Sequence, residues 1–330
     1  MAESFRAVVA DKPAEELEVA IRDLTTDDLP DHDVLIDVDY STLNYKDGLA
    51  MTGAAPIARS FPMVCGIDLA GKVAESSSED FGAGDRVLVN GFGLSESHWG
   101  GYSQRARMKS SWLVKVPDSF SNQDAMAIGT AGYTSMLCVM ALESNGVAPD
   151  SGDVVVTGAA GGVGSVAVAL LSRLGYRVIA STGRAETHDY LKALGADEIL
   201  DREELGAKPR AVGKERWAGA VDSVGSNTLA NLIAQARYDG CVAACGLAGG
   251  VDLPATVYPF ILRNVTLAGV DSVMAPIERR REAWRRLAEL LSVDVIQQMT
   301  TVEPMSGVIE LAPKILAGQT RGRVVIDVNS

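Results

Sequence analysis

The chain has 330 residues, 47% of them hydrophobic and 22% charged, with a formal net charge of −13 and a pI of about 4.8. That length suits two domains with sizeable cores, and the composition is that of a globular rather than a disordered protein. So acidic a balance excludes a general nucleic-acid binder, which needs a basic face to displace counterions, and argues against docking on an anionic membrane.

The first residues, Met1 to Arg6, lack the apolar stretch of a signal peptide, so a cytoplasmic protein is expected. Residues 1–122 read mostly as short strands and turns. Val34 to Tyr40 alternates apolar and acidic residues, the pattern of a half-buried strand, and Val64 to Val73 and Arg86 to Val89 read as further strands between Gly and Asp turns. Pro117 opens a loop, and Asp124 to Glu143 is an apolar-periodic stretch read as a helix.

From Asp153 the rhythm changes. Val154 to Thr157 is a buried strand and Val163 to Leu174 a helix. Tyr176 to Ser181 is a strand, Glu186 to Leu194 a helix, and Glu198 to Leu200 a short strand. Ala220 to Val224 is a strand, Asn227 to Ala236 a helix, Cys241 to Cys245 a strand, and Val265 to Val270 another. Such alternation means βαβ units and a parallel sheet, an α/β fold. Ala283 to Leu291 reads as a helix with a basic face, and Arg323 to Val328 as a strand returning to the first domain. Residues 154–171 are uncharged for long enough to imitate a membrane span, but Gly158, Gly161, Gly162 and Gly164 interrupt them. Cys65, Cys138, Cys241 and Cys245 show no CxxC spacing and are expected to be reduced packing residues.

The sharpest signal is the run Thr157-Gly158-Ala159-Ala160-Gly161-Gly162-Val163-Gly164-Ser165, lying between a buried strand and an apolar helix. Glycines there let the backbone turn tightly and approach a pyrophosphate, while the following helix offers free N–H groups and a partial positive charge. The next strand ends in Ser181-Thr182-Gly183-Arg184, where a chain that prefers NAD places an acid for the ribose hydroxyls. Two hydroxyls and an arginine suit a 2′-phosphate, which makes NADPH the expected cofactor. A solvated surface position is the other reading of Arg184. Arg202, after the third strand, stands equally open to either reading.

Longer strings carry a resemblance. They are Ser41 to Asp47, Phe61 to Gly71, His98 to Gly101, Ile128 to Thr134, Trp217 to Ala220, Cys241 to Gly250 and Pro259 to Val265. With the glycine loop, they resemble the NADPH-dependent acryloyl-CoA reductases of the quinone-oxidoreductase-like branch of the medium-chain dehydrogenase/reductase (MDR) superfamily. The resemblance runs from about residue 5 to 328. It implies an MDR two-domain fold: a GroES-like, mostly-β catalytic domain over 1–122 and 273–330, and a Rossmann doubly wound parallel sheet over 123–272. It implies reduction of acryloyl-CoA to propanoyl-CoA in acrylate metabolism, and a homodimer whose cofactor-domain sheets join edge to edge. It implies NADPH contacts at Tyr45, Ala160, Gly161, Gly162, Val163, Thr182, Gly183, Arg184, Arg202, Leu247, Ile261, Ser272 and Gln319.

In zinc-dependent relatives a Cys and a His-Glu pair hold a metal. Here Asn44 stands near the Cys position and Gly66-Ile67-Asp68 where Gly-His-Glu would stand, so no metal site is expected. His32, His98 and His188 show no ligand spacing and read as surface or structural residues. Without a metal, hydride delivered to the β-carbon of an unsaturated thioester leaves negative charge on the thioester oxygen, and the protein must position the ring, stabilise that oxygen and allow protonation. Tyr45, read in a loop facing an interdomain cleft, is the candidate catalytic residue, either as general acid or as a ring that packs and orients. Lys46 and Asp47 are expected to pair or to fix that loop. Arg279, Arg280, Arg281, Arg285 and Arg286, or Arg321 and Arg323, are candidate landing points for the CoA phosphates, against solvated or structural roles. Two alternatives stand beside this reading: an NADPH:quinone oxidoreductase or general enone/alkenal reductase, and a non-catalytic NADPH-binding sensor.

Overall fold

The structure, a computed structural model, describes residues 3–14 and 16–330. The chain forms two compact units: Met1–Thr130 with Ser272–Ala288 and Ile296–Ser330, and Ala131–Asp271 with Glu289–Val295.

The first unit opens with β1 (Ser4–Asp11) and β2 (Glu18–Thr25), a hairpin that the composition of those residues did not announce. Then follow β3 (Val34–Thr42), α1 (Tyr45–Thr52), β4 (Met63–Val64), β5 (Asp68–Ser76), β6 (Arg86–Asn90), β7 (Arg105–Met108) and β8 (Val114–Lys115). Alternation in β3 does what it predicts: Val34, Ile36 and Val38 are buried while Asp37 is exposed. The stretch expected as one strand from Val64 to Val73 is broken at Cys65–Ile67, because Gly66 takes φ 98° and the carbonyls of those residues accept from the amides of Tyr102, Gly101 and Gly91.

α2 (Asn122–Ser144) is interrupted at Gly129, which has φ 52° and ψ −159°. A Cβ there would lie 2.7 Å from Thr42 Oγ1 and 2.8 Å from Arg323 Nη2, so only glycine fits. The first unit ends at the next residue, inside the helix, whereas the sequence places the division ahead of it. α2 is the one helix among the described residues long and apolar enough to cross a membrane, and 89% of its most apolar stretch is buried in the structure.

The second unit holds β9 (Val154–Val156), α3 (Gly162–Arg173), β10 (Val178–Thr182), α4 (His188–Ala193), β11 (Glu198–Asp201), α5 (Arg202–Gly206), β12 (Trp217–Asp222), α6 (Ser226–Ala234), β13 (Ala236–Ala244), α7 (Tyr258–Arg263) and β14 (Thr266–Gly269). The six strands lie in the order β11-β10-β9-β12-β13-β14, all parallel. This is the doubly wound sheet expected. Its order reverses between β9 and β12, the place where such sheets open a ligand crevice beyond their carboxyl ends. Val155, Ile179, Trp217, Ala220, Leu232 and Val242 fill its core. The stretch that imitates a membrane span resolves into β9 and α3, and all four cysteines are free thiols.

The chain then closes with α8 (Ile277–Leu290), α9 (Val293–Gln298), β15 (Thr300–Pro304), α10 (Val308–Leu316) and β16 (Arg323–Asp327). β16 pairs antiparallel with β3 and parallel with β15, so the last strand returns to the first unit's sheet, as read from the sequence. Met305, Val308 and Ala312 complete the core around Val34, Ile36, Leu69 and Val89. α10 packs closely on α1, since a Cβ on Gly48 would lie 3.0 Å from Ala312 O.

Candidate functional site

In the second unit the predicted cofactor residues collect at one edge of the sheet. The loop after β9 carries Ala160 and Gly161, with Gly162 and Val163 beginning α3. Thr182 ends β10 and is followed by Gly183 and Arg184. Arg202 follows β11, and Leu247 follows β13. These loops all leave carboxyl ends of strands in one parallel sheet, so the topology brings to the same end residues that are far apart in sequence.

The loop has the geometry of a phosphate cradle. Gly158 takes φ 57°, which L side chains rarely adopt, and Gly161 N–H donates to Gly158 O at 2.8 Å. Gly161 is the N-cap of α3, and no side chain caps that helix start. A Cβ on Gly164 would stand 2.5 Å from Ala159 Cα, so the helix can back against the loop only because this residue has no side chain. Uncapped N–H groups at the start of a buried helix are a built site for an anion.

Two guanidinium groups flank the end of β10. Arg184 Nη2 donates to Ala160 O at 3.4 Å, which bends the side chain over the glycine loop. The Arg202 side chain lies along Gly183, where a Cβ would be 2.6 Å from Arg202 Cδ. Thr182 Oγ1 accepts from Arg184 N–H at 3.2 Å. The nearest acid across the ladder, Asp201, accepts the Glu203 N–H at 2.9 Å as a helix cap. The residues present therefore fit a dinucleotide carrying an extra phosphate on its ribose. Ile261 sits on α7 with 69% of its surface exposed, and Leu247 is also exposed.

The remaining predicted positions lie in the first unit. Tyr45 is not in a loop: it is the first residue of α1, half-buried, and its hydroxyl has no hydrogen-bond partner among the described residues. The helix starts there because Asn44 N–H donates to Asp47 Oδ2 at 2.9 Å, one arm of a capping box that Asn-x-x-Asp spacing signals. Ser272 is half-buried and its carbonyl accepts from Arg280. Gln319 is exposed just past α10, its N–H bonded to Lys314 O.

Beneath Tyr45 lies a buried polar cluster that the sequence reading missed. Asp68 accepts from Thr42 N–H at 3.1 Å, Thr42 Oγ1 at 2.8 Å, Asn44 Nδ2 at 3.1 Å and Thr130 N–H at 2.8 Å. Arg323 donates to Ala127 O at 2.9 Å and to Asn44 Oδ1 at 3.4 Å. Asp47 is fully buried and accepts Ile67 N–H at 3.0 Å. Burial, and then the nearby Asp68 charge, push the Asp47 carboxyl up to about 7. Burial and the same acids push the Tyr102 hydroxyl well above its ordinary value. Only the Asn44–Asp47 spacing gave a local hint of this cluster; its other members come from β3, β5, α2 and β16.

The cluster makes stability pH-dependent. The folded Asp47 carboxyl keeps its proton to about pH 7, while the unfolded one releases it near 3.8. Between those values the folded state binds the extra proton, so this contribution is fully present below about pH 4 and is lost as pH rises through 7. The span corresponds to on the order of 4 kcal/mol. Urea unfolding at a series of pH values should show the decline, and Asp47→Asn should flatten it between pH 4 and 8. An unchanged slope in the variant rules Asp47 out as its source.

The same geometry answers the zinc question. Asn44 and Asp68 are committed to each other, Thr42, Thr130 and Arg323, and Ile67 offers no donor atom. Among the described residues no group of three or more His, Cys, Asp or Glu could hold a metal ion. The residues present do not fit zinc. His32 instead packs edge-on against Trp112, and His98 packs tilted against the same ring.

Several expected charge roles are corrected. Lys46 does not pair with Asp47; its Nζ meets Glu96 at 2.6 Å, and Arg59 meets the other oxygen of that carboxylate. Arg280 is buried and donates to the carbonyls of Asn90, Ser272, Val273 and Ala275, with its guanidinium 3.9 Å above Phe92. It is therefore a structural pin and not a landing point for phosphates. Arg281 and Arg285 pair with Glu278 and Glu282 one turn earlier, and Arg323 is buried in the Asp68 cluster.

Comparison with known proteins follows the division into units. The family described as Alcohol dehydrogenase GroES-like domain matches residues 30–118, and Zinc-binding dehydrogenase matches residues 162–292. The chain is similar to the probable acrylyl-CoA reductase AcuI of Escherichia coli, 53% identical over 94% of this chain and 95% of that protein. It is similar to the acrylyl-CoA reductase AcuI of Ruegeria pomeroyi, 49% identical over 99% and 100%. Among solved structures, E. coli YhdH with bound NADPH superposes with a TM-score of 0.96 at 51% identity, covering 98% of this chain and 100% of that one. Bacillus subtilis YhfP with NAD bound gives 0.94 at 43% identity, covering 98% and 99%.

Proposed function

Since the chain belongs to the quinone-oxidoreductase-like branch of the medium-chain dehydrogenase/reductase superfamily, we propose that it is an NADPH-dependent acryloyl-CoA reductase forming propanoyl-CoA. The observation that carries the reading is near-full-length identity of about half to two acrylyl-CoA reductases, in a fold whose cofactor edge presents Arg184 and Arg202 and no ribose-binding acid.

The chemistry that NADPH brings when bound is hydride donation to the electron-poor β-carbon of the acryloyl group. Ala160 to Val163 and the start of α3 hold the pyrophosphate, and Thr182, Gly183, Arg184 and Arg202 hold the 2′-phosphate. Leu247, Ile261, Ser272 and Gln319 are assigned to the remaining cofactor contacts. Tyr45 is assigned to the reacting end, where its unpartnered hydroxyl orients the substrate or gives up a proton.

The test is NADPH absorbance with acryloyl-CoA, free acrylate, crotonyl-CoA and a simple quinone, in chelator, with NADH run in parallel. Fast oxidation is expected with acryloyl-CoA and NADPH, and little with acrylate or NADH. Turnover of the quinone without the thioester sinks the substrate assignment. That outcome would favour a second reading, motivated by the 43% identity to YhfP, which is described as a putative quinone oxidoreductase.

We also propose a cytoplasmic homodimer serving acrylate metabolism. Four unpaired cysteines suit a reducing compartment. β14 is an edge strand, and exposed Val251, Val257 and Leu262 follow β13 in the segment leading to it, apolar surface that a second copy would cover.

A further inference from the structure

Asp47 lies in the first turn of α1, two residues after Tyr45, and none of its surface is exposed. Asn44 N–H donates to one carboxyl oxygen at 2.9 Å and Ile67 N–H to the other at 3.0 Å. The Tyr102 hydroxyl donates elsewhere, to the Thr42 carbonyl oxygen at 3.0 Å. A buried carboxyl that accepts one backbone amide on each oxygen has little freedom to turn.

On the other side of Tyr45, Asn44 is held by Asp68 at 3.1 Å and by Arg323 at 3.4 Å. The residue before Tyr45 and the one two places after it are thus both anchored to buried partners, whereas the Tyr45 hydroxyl has none among the described residues. A side chain without a polar contact of its own is directed by its backbone, and this backbone is set by the turn that Asp47 ties down.

We propose that Asp47 is the positioning residue for Tyr45: by tying the first turn of α1 to the Asn44 and Ile67 amides, it fixes the direction from which the Tyr45 hydroxyl meets the substrate. The inference rests on the assignment of Tyr45 to the reacting end. It deepens that assignment by separating the group that touches substrate from the group that aims it.

A double-mutant cycle on the full-length enzyme tests it. Asp47→Asn keeps the volume but leaves one oxygen where two amides need acceptors. In the wild-type background kcat should fall about tenfold to a hundredfold, the scale of a small misplacement at a reacting centre, with KM for NADPH little changed and with a Tm shift that is the same in both backgrounds. In a Tyr45→Phe background, with no hydroxyl left to aim, the same substitution should cost less than about twofold. Equal losses in both backgrounds overturn the proposal and make Asp47 a structural cap, and so does wild-type kcat in Asp47→Asn. If the unmodified enzyme reduces a quinone and not acryloyl-CoA, the substrate assignment fails, and the same cycle run on the quinone still decides the role of Asp47.

Discussion

Substituting alanine for Gly164 should weaken NADPH binding by on the order of a hundredfold, close to 3 kcal/mol. The added Cβ would sit 2.5 Å from Ala159 Cα and would press into the Gly158 carbonyl oxygen. Both obstacles are backbone, so no side chain can rotate away, and either the loop or the first turn of α3 must move. The N–H groups assigned to the pyrophosphate belong to that turn, and a shift there would spoil several of those hydrogen bonds at once. Overpacking of this kind also costs about 1–3 kcal/mol of stability, a Tm fall of several degrees. Gly206 supplies the control, because a Cβ there meets nothing within 4 Å. Fluorescence titration with NADPH and a thermal melt on both variants separate binding from folding. Wild-type affinity in the Gly164 variant would remove the loop from the cofactor site.

Arg184→Ala should cost NADPH about tenfold to a hundredfold in affinity and leave NADH nearly unaffected. Charge-assisted hydrogen bonds contribute about 1.5–3 kcal/mol each, and only NADPH has the 2′-phosphate to receive them. Removing Arg202 as well should enlarge the loss, since the two side chains flank Gly183 from opposite sequence positions. The preference should also shrink as salt is raised, because Arg202 is exposed. The similar YhfP structure has NAD bound, so a cofactor preference is not set by this fold alone. Affinity measurements with both cofactors decide it. An equal loss for NADPH and NADH would mean that Arg184 acts by holding the Ala160 carbonyl, not by binding a phosphate.

Local patterns were legible where function depends on short-range backbone geometry. The glycine loop between a valine strand and an apolar helix announced itself, because the spacing of glycines and the change in hydrophobic period are properties of a dozen consecutive residues. The missing acid after β10 was equally plain, and so was the return of the last strand. What escaped were elements whose residues look unremarkable until paired. The β1–β2 hairpin and the β15–α10 segment have weak patterns of their own and are held by partners elsewhere in the chain.

By itself, then, the sequence determined the α/β architecture, the glycine loop between β9 and α3, and an arginine with no acid after β10, since each is written in residue types at fixed local spacing. Only the tertiary structure decided the start of α1 at Tyr45, the buried Asp47–Asp68 cluster beneath it and the conversion of Arg280 and Arg323 from candidate phosphate ligands into buried pins. The reason is physical. A charged residue announces its charge in the sequence, but whether that charge meets solvent, a ligand or a buried carbonyl depends on which distant segments the fold lays against it.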